Sequence, residues 1–391
     1  MMSSFFKILK WSGIFLGSII FLAVILLYVF RVDYILKGIY VTYLQGHNTA
    51  YLEDFKFFDN HIIENSQGEP WPRSSSYNTF PETDSLVKIN QSLKTVAYLL
   101  IHQDSIWFES YYDGYTDSSK SNSFSMAKSI VSALLGKSIE NGTVKNLQQK
   151  VKDYVPEIVG PFADSLTFED LVAMRSGMKW EESYYNPFSI TTRLYFDNNI
   201  TGILPAMPII EKPGELFKYQ SGDTQLLGIA LQRANQSSLS ELTAKFFWKP
   251  MGAMHSALWQ VDSKSNGIEK AYCCIASNAK DFARMGKLYL QNGKWGENQL
   301  LDSTYINHSI NQKYDDSPNY GYGWWIGHYN GKKYFYMDGH LGQYVIVVPQ
   351  DDLIIVRLGH TIDSLSRENH ESAFYQFINQ GYKMLGNRIT Q

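Results

Sequence analysis

Ser125-Met126-Ala127-Lys128 heads a strongly apolar run, Ser125 to about Glu140, that reads as a helix. The run follows the polar stretch Ser118-Ser119-Lys120-Ser121-Asn122-Ser123. Residues three apart share a helix face, with Cβ atoms about 5–6 Å apart. The Lys128 amine is therefore placed to reach the Ser125 hydroxyl. A helix N-terminus adds free N–H donors and partial positive charge beside an oxygen that must become anionic. A lysine serves as a base near neutral pH only where burial lowers its pKa. Phe124, Met126, Ile130, Val131 and Leu134 supply that apolar setting.

The spacing by itself is not distinctive. Ser-x-x-Lys also occurs at Ser4–Lys7, Ser85–Lys88, Ser176–Lys179 and Ser277–Lys280. A serine at a helix start is commonly a cap. Ser277 reads as the N-cap of a helix running to about Leu290, and Gly177 puts Ser176 in a turn. Ser4 lies in a short tail ahead of an apolar segment.

That segment, Trp11–Phe30 (WSGIFLGSIIFLAVILLYVF), holds about twenty residues without a charge, the length needed to cross a bilayer as a helix. A cleavable leader has a shorter apolar region and a small-residue cleavage site, and neither is evident. Residues 1–31 are expected to be a retained, single-pass anchor, and the catalytic part to lie outside the cytoplasm. Basic residues are nearly balanced across the segment, with Lys7 and Lys10 before it and Arg31 and Lys37 after, so orientation is weakly specified. The net charge of −3 in 391 residues leaves no electrostatic footprint for nucleic acid. The 9 histidines show no metal-ligand spacing, so no metal is expected. The only cysteines, Cys273 and Cys274, are adjacent; a bond between neighbours is strained, and two buried thiols are expected.

Residues 32–90 are mixed and turn-rich around Ser66–Ser76, a lead-in or linker rather than a domain. Val96–His102 and Ile106–Tyr112 read as a hairpin. Residues 141–300 are mostly helical by pattern: Phe168–Met174, Thr224–Ala234, Leu239–Phe247 and Lys280–Leu290, interrupted by irregular stretches at Trp180–Thr201 and Leu204–Leu216. Strands return at Gly323–Ile326, Lys333–Met337, Tyr344–Pro349 and Leu353–Leu358, and a helix from about Glu368 to Met384 follows. Tight turns join the strands, so they must be antiparallel. The expected fold class is α+β: an antiparallel sheet flanked by helices in a domain spanning 91–391, with 141–300 inserted as a helical lobe. Gly-x-Ser-x-Gly is absent, which weighs against an α/β-hydrolase.

Two further stretches stand out: PGELFKYQSGDTQLLG, Pro213 to Gly228, and Asp338-Gly339-His340-Leu341-Gly342-Gln343 just before a strand. With Ser125-x-x-Lys128, Tyr219-x-Ser221 and His340-x-Gly342 in this order, residues 85 to 385 or so resemble the serine β-lactamase/penicillin-binding fold. Within it they resemble the branch of class C β-lactamases, family VIII-type esterases and 6-aminohexanoate-dimer hydrolases. Tyr184-Tyr185-Asn186 and Tyr305-Ile306-Asn307 match Tyr-x-Asn more literally. Tyr219, however, follows a Pro-Gly turn and precedes a helix as the family's tyrosine does. Tyr305 sits in a polar segment, more in keeping with a helix surface.

The resemblance implies an acyl-enzyme on Ser125, proton transfer shared by Lys128 and Tyr219, and no cofactor. It puts the oxyanion hole at the backbone N–H groups of Ser125 and Gln343, with Gly342 in the same turn, and His340 on the cleft wall. Ser221 stands where lactamases carry asparagine and His340 where they carry lysine. Both departures favour a short ester or linear amide over a penicillin. Tyr184 and Tyr185 are expected to line the cleft. A lactamase or D,D-peptidase acting on cell-wall peptides, and an acylated sensor that does not turn over, share the same serine and stay open here.

Overall fold

Gln103 and Asp104 both adopt positive φ (49° and 59°), the backbone of a two-residue turn matched to strand twist. They close the expected hairpin between Thr95–His102 (β1) and Ser105–Tyr111 (β2). Asn330 and Gly331 (φ 50° and 74°) do the same between Trp325–Tyr329 (β3) and Lys332–Gly339 (β4). Gln343–Val348 (β5) and Leu353–Gly359 (β6) complete one sheet of order β2-β1-β6-β5-β4-β3, antiparallel throughout. The computed structural model describes residues 2–317, 319–363, 365 and 372–386.

Alternate residues of each central strand serve opposite faces. Tyr98, Leu100, Ile346 and Ile355 pack with Phe374, Phe377 and Ile378 of the C-terminal helix Ala373–Leu385. Leu99, Ile101, Val345, Val347 and Ile354 pack into the main core with Phe282 and Met285 of the helix Ala279–Leu290. Burial of both faces is why these strands read as unbroken apolar runs. The C-terminal helix starts at Ala373; its expected beginning at Glu368 lies outside the described residues.

The mostly helical 141–300 also carries strands that the pattern did not announce. Ala257–Gln260 and Ile275–Ser277 are strands of a second antiparallel sheet, flanked by Asn60–Ile63 and Ser121–Asn122. Strands of two to four residues are too short to show a period, and their partners are far apart in the chain. Trp180–Thr201 also contains a helix, Ile190–Phe196, capped by Ser189 Oγ on the Thr192 N–H at 3.1 Å.

The N-terminal helix α1, Met2–Val29, carries the apolar stretch Phe5–Val29, and none of it is buried within the molecule. After it the chain turns directly into α2, Tyr34–Val41. Residues 32–90, expected as a lead-in, are built into the fold. Gly38 lets the Phe196 ring approach to 3.4 Å of where a Cβ would stand, and Tyr34 donates to the Pro187 carbonyl at 3.0 Å. The helix Asp84–Ser92 is tied to the C-terminal helix by Thr83 Oγ1 donating to Gln380 Oε1 at 2.7 Å.

Candidate active site

Ser125 lies in a short 3₁₀ turn, Phe124–Met126, that leads into the helix α3, Ala127–Glu140. Phe124, one residue upstream, sits at φ 44°, a conformation that a bulky side chain adopts only when its surroundings impose it. Asn122 imposes it: its Oδ1 accepts the Phe124 N–H at 2.9 Å, while its Nδ2 donates to Asp54 Oδ1 at 3.0 Å. Asp54, fully buried, also accepts from the Tyr195 hydroxyl at 2.5 Å and from Gln260 Nε2 at 3.2 Å. Burial pushes its pKa up to about 6 against these donors. Ser123 exchanges two hydrogen bonds with Ile275, N–H to carbonyl at 2.7 Å and hydroxyl from N–H at 3.1 Å. Three segments distant in sequence thus hold the turn that presents Ser125.

Lys128 is 2% exposed. Its Nζ donates to Ser125 Oγ at 2.9 Å, to the Tyr272 carbonyl at 3.0 Å and to Ser221 Oγ at 3.3 Å. Burial brings its pKa down to about 8, and the Glu182 carboxylate pulls the other way. The Tyr219 ring lies under Nζ, 4.9 Å from ammonium to centroid, with Ser125 beside its hydroxyl. Burial holds that phenol well above its usual pKa.

Glu182 was not singled out in the sequence. Both its oxygens engage the head of the helix Ser221–Asn235: Oε2 accepts the Ser221 N–H at 2.8 Å and Oε1 its hydroxyl at 2.6 Å. Trp180 Nε1 donates to the same carboxylate at 2.6 Å. A helix N-terminus with free N–H groups favours an anion there. One acid in an irregular stretch has no spacing to betray it. The only local signal is its place two residues before Tyr184.

Strand β4 reaches the nucleophile turn because Gly339 has no side chain; a Cβ there would stand 2.3 Å from the Ser123 carbonyl. His340 follows, and among the described residues its buried Nε2 finds no hydrogen-bond partner. Its ring meets Phe124, Tyr184 and Tyr185 at centroid distances of 5.5, 5.2 and 6.3 Å. Burial lowers its pKa to about 4, so the imidazole is neutral at physiological pH. Leu341 and Gly342 both lie at positive φ (63° and 81°), reversing the chain into Gln343. Buried Arg357 clamps this reversal, with Nη1 donating to the Leu341 and Gly342 carbonyls at 2.8 and 2.9 Å. The Gln343 side chain is turned away, pairing with Gly359 through Nε2 to carbonyl at 2.7 Å and Oε1 from N–H at 3.0 Å. Only its backbone is available to the site.

Tyr184 and Tyr185 flank the opening, and the Tyr184 hydroxyl lies near Glu182 and Ser221. With Ser125, Ser221, Tyr272 and His340 they line a cavity whose wall, among the described residues, contains no Asp, Glu, Lys or Arg. Tyr305 lies elsewhere. Contrary to the expectation of a helix surface it is buried, and its hydroxyl donates to the Ser132 carbonyl on the back of α3 at 2.8 Å. The expectation of two thiols is also corrected: Cys273 and Cys274 are joined in a disulfide. The left-handed backbone at Cys274 (φ 76°) turns its side chain back toward Cys273.

The sequence profile of the Beta-lactamase family matches residues 75–373. The 6-aminohexanoate-dimer hydrolase of Paenarthrobacter ureafaciens is 23% identical over 209 residues, 51% of this chain and 53% of that protein, so the match spans about half the length of that relative. Among solved structures, a proposed 6-aminohexanoate-dimer hydrolase from Bacillus anthracis aligns with a TM-score of 0.72 at 21% identity, covering 87% of this chain and 93% of its own. A proposed β-lactamase from Bacteroides dorei DSM 17855 aligns at 0.62 and 18% identity, covering 78% and 99%.

Proposed function

The chain belongs to the Beta-lactamase family, and we propose that it is a serine hydrolase that cleaves a small ester or linear amide through an acyl-enzyme on Ser125. The observation that carries this reading is the 2.9 Å contact between Lys128 Nζ and Ser125 Oγ, made by an amine whose pKa burial has brought to about 8. A useful fraction of Lys128 is then neutral near physiological pH and can accept the serine proton.

In this mechanism Ser125 Oγ adds to the substrate carbonyl carbon as its proton passes to the Lys128–Tyr219 pair. The oxyanion is held by the backbone N–H groups of Ser125 and Gln343. Tyr219 hands the proton to the departing alcohol or amine as the C–O or C–N bond breaks. Water then attacks the serine ester, releasing the acid and returning a proton to Ser125. Glu182 is a positioning residue: it anchors Ser221 and holds a negative charge near Lys128. His340, neutral and lacking a fixed charge, offers a substrate carboxylate no cation. That supports an ester or linear amide over a β-lactam. We further propose that α1 is a membrane anchor, with the catalytic part outside the cytoplasm.

Ser125→Ala should abolish hydrolysis of p-nitrophenyl butyrate and labelling by a fluorophosphonate, with an unchanged circular dichroism spectrum. Labelling that persists in this variant would overturn the assignment. A preference for a chromogenic cephalosporin over p-nitrophenyl butyrate on one preparation would overturn the substrate class.

A further inference from the structure

Part of the cavity wall is not made by the catalytic motifs: Ile35, Gly38 and Ile39 of α2 and Thr42 just after it contribute to it. This helix is fastened across the cleft by Tyr34 on Pro187 and by Phe196 packed on Gly38. Only residues 30–33 separate it from α1. Four residues span at most about 14 Å even when fully extended. With α1 in a bilayer, the mouth of the cavity stands at the membrane surface.

The mouth is built for such a surface. Ile39, Tyr43 and Tyr185 line the cavity and are still 40%, 60% and 64% exposed. Leu44 and Phe188, their near neighbours in the chain, are exposed too. Amphipathic aromatic rings of this kind favour the headgroup level of a bilayer. Inside, the described wall residues are apolar or uncharged, a lining suited to an alkyl chain.

We propose that the preferred ester or amide is longer than the small one of the reading above, which serves only as a surrogate: an acyl amphiphile of the bilayer, a fatty ester or amide. Its chain passes between α2 and the Tyr184–Phe188 rim, and its carbonyl reaches Ser125. The inference rests on the reading of Ser125 as nucleophile and α1 as anchor. The chemistry is the acyl transfer already described: the chain-bearing acyl group moves to Ser125 Oγ, the alcohol or amine leaves with the proton, and water releases the fatty acid.

The test uses the full chain in phosphatidylcholine vesicles, offered 4-methylumbelliferyl palmitate and butyrate together. The wild type should consume the palmitate ester at least tenfold faster. Ile39→Glu and Tyr43→Glu each place a carboxylate in the path of the chain, and each should lower the palmitate-to-butyrate ratio at least tenfold. Two variants at separate positions of the mouth guard against one that misfolds. Butyrate consumed as fast as palmitate by the wild type, or a ratio unchanged in both variants, would overturn the proposal. If butyrate alone is consumed and a fluorophosphonate labels Ser125, the lipid substrate falls and the hydrolase reading stands. If neither ester is consumed and Ser125 is not labelled, both fall.

Discussion

Lys128 carries the chemistry at the residue scale because two opposing effects act on one amine. Burial favours its neutral form, and the Glu182 carboxylate favours its charged form. The base is the neutral amine, so activity is lost as pH falls through the Lys128 pKa and gained as pH rises through it. A profile of kcat/KM against pH should therefore rise with a midpoint near about 8. Glu182→Gln removes the charge that raises this pKa, so the midpoint should move to lower pH. A midpoint that stays put would assign the limb to another group. Tyr219→Phe should slow acylation about 100-fold or more. Adding Lys128→Ala to it should cost much less than the product of the two single losses, because both groups handle one proton. Stopped-flow acylation by a p-nitrophenyl ester reads both.

At the scale of elements, the reversal from β4 into β5 holds His340 and the Gln343 backbone against the Ser125 turn. Arg357 is its clamp. One guanidinium satisfies the carbonyls of Leu341, Gly342, Leu93 and Thr361, and its Nε donates to Thr95 Oγ1 at 3.1 Å. Buried acceptors stripped of a charged donor cost about 1–3 kcal/mol each. Arg357→Leu should therefore destabilise the fold by about 3 kcal/mol or more in urea unfolding. In whatever remains folded, kcat should fall more than KM rises, because the loosened turn holds the transition state and not the ground state. Wild-type kinetics in the folded fraction would show that the reversal keeps its shape without the clamp.

For the whole molecule, the stretch between the apolar helix and the first strand of the main sheet is structural. Asp54 in that stretch satisfies Asn122, Tyr195 and Gln260, and through Asn122 it sets the backbone of Phe124 beside the nucleophile. Deleting residues 1–31 should leave a soluble protein that hydrolyses short esters, since α1 buries nothing in the rest of the molecule. Deleting 1–58 removes α2 and Asp54 together, and should give an aggregated or unlabelled product. Size-exclusion chromatography with fluorophosphonate labelling distinguishes the two. An active 59–391 fragment would show that the Ser125 turn holds its shape unaided.

What the amino-acid order determined by itself was local in origin. The hairpin at Gln103-Asp104, the later strands and the apolar helix after Ser125 are legible because each is long enough, and buried enough, to impose its own pattern. The helix periodicity also placed Lys128 over Ser125. Its place after a Pro-Gly turn and before a helix, as in the resembled family, selected Tyr219 over Tyr184 and Tyr305, and the structure sets Tyr219 beside Ser125 and Lys128 while Tyr305 braces the far side of α3. Tertiary structure alone decided the rest. Glu182, Asp54 and Arg357 are single polar residues most of whose partners lie more than a dozen positions away, so no short window of sequence contains their reason for being there. The four-stranded second sheet is assembled from strands too short to show a period. Part of the apolar wall of the cavity comes from α2, whose role depends on Gly38 meeting Phe196 across the fold. Long-range packing chooses such partners, and a pattern read along the chain has no access to it.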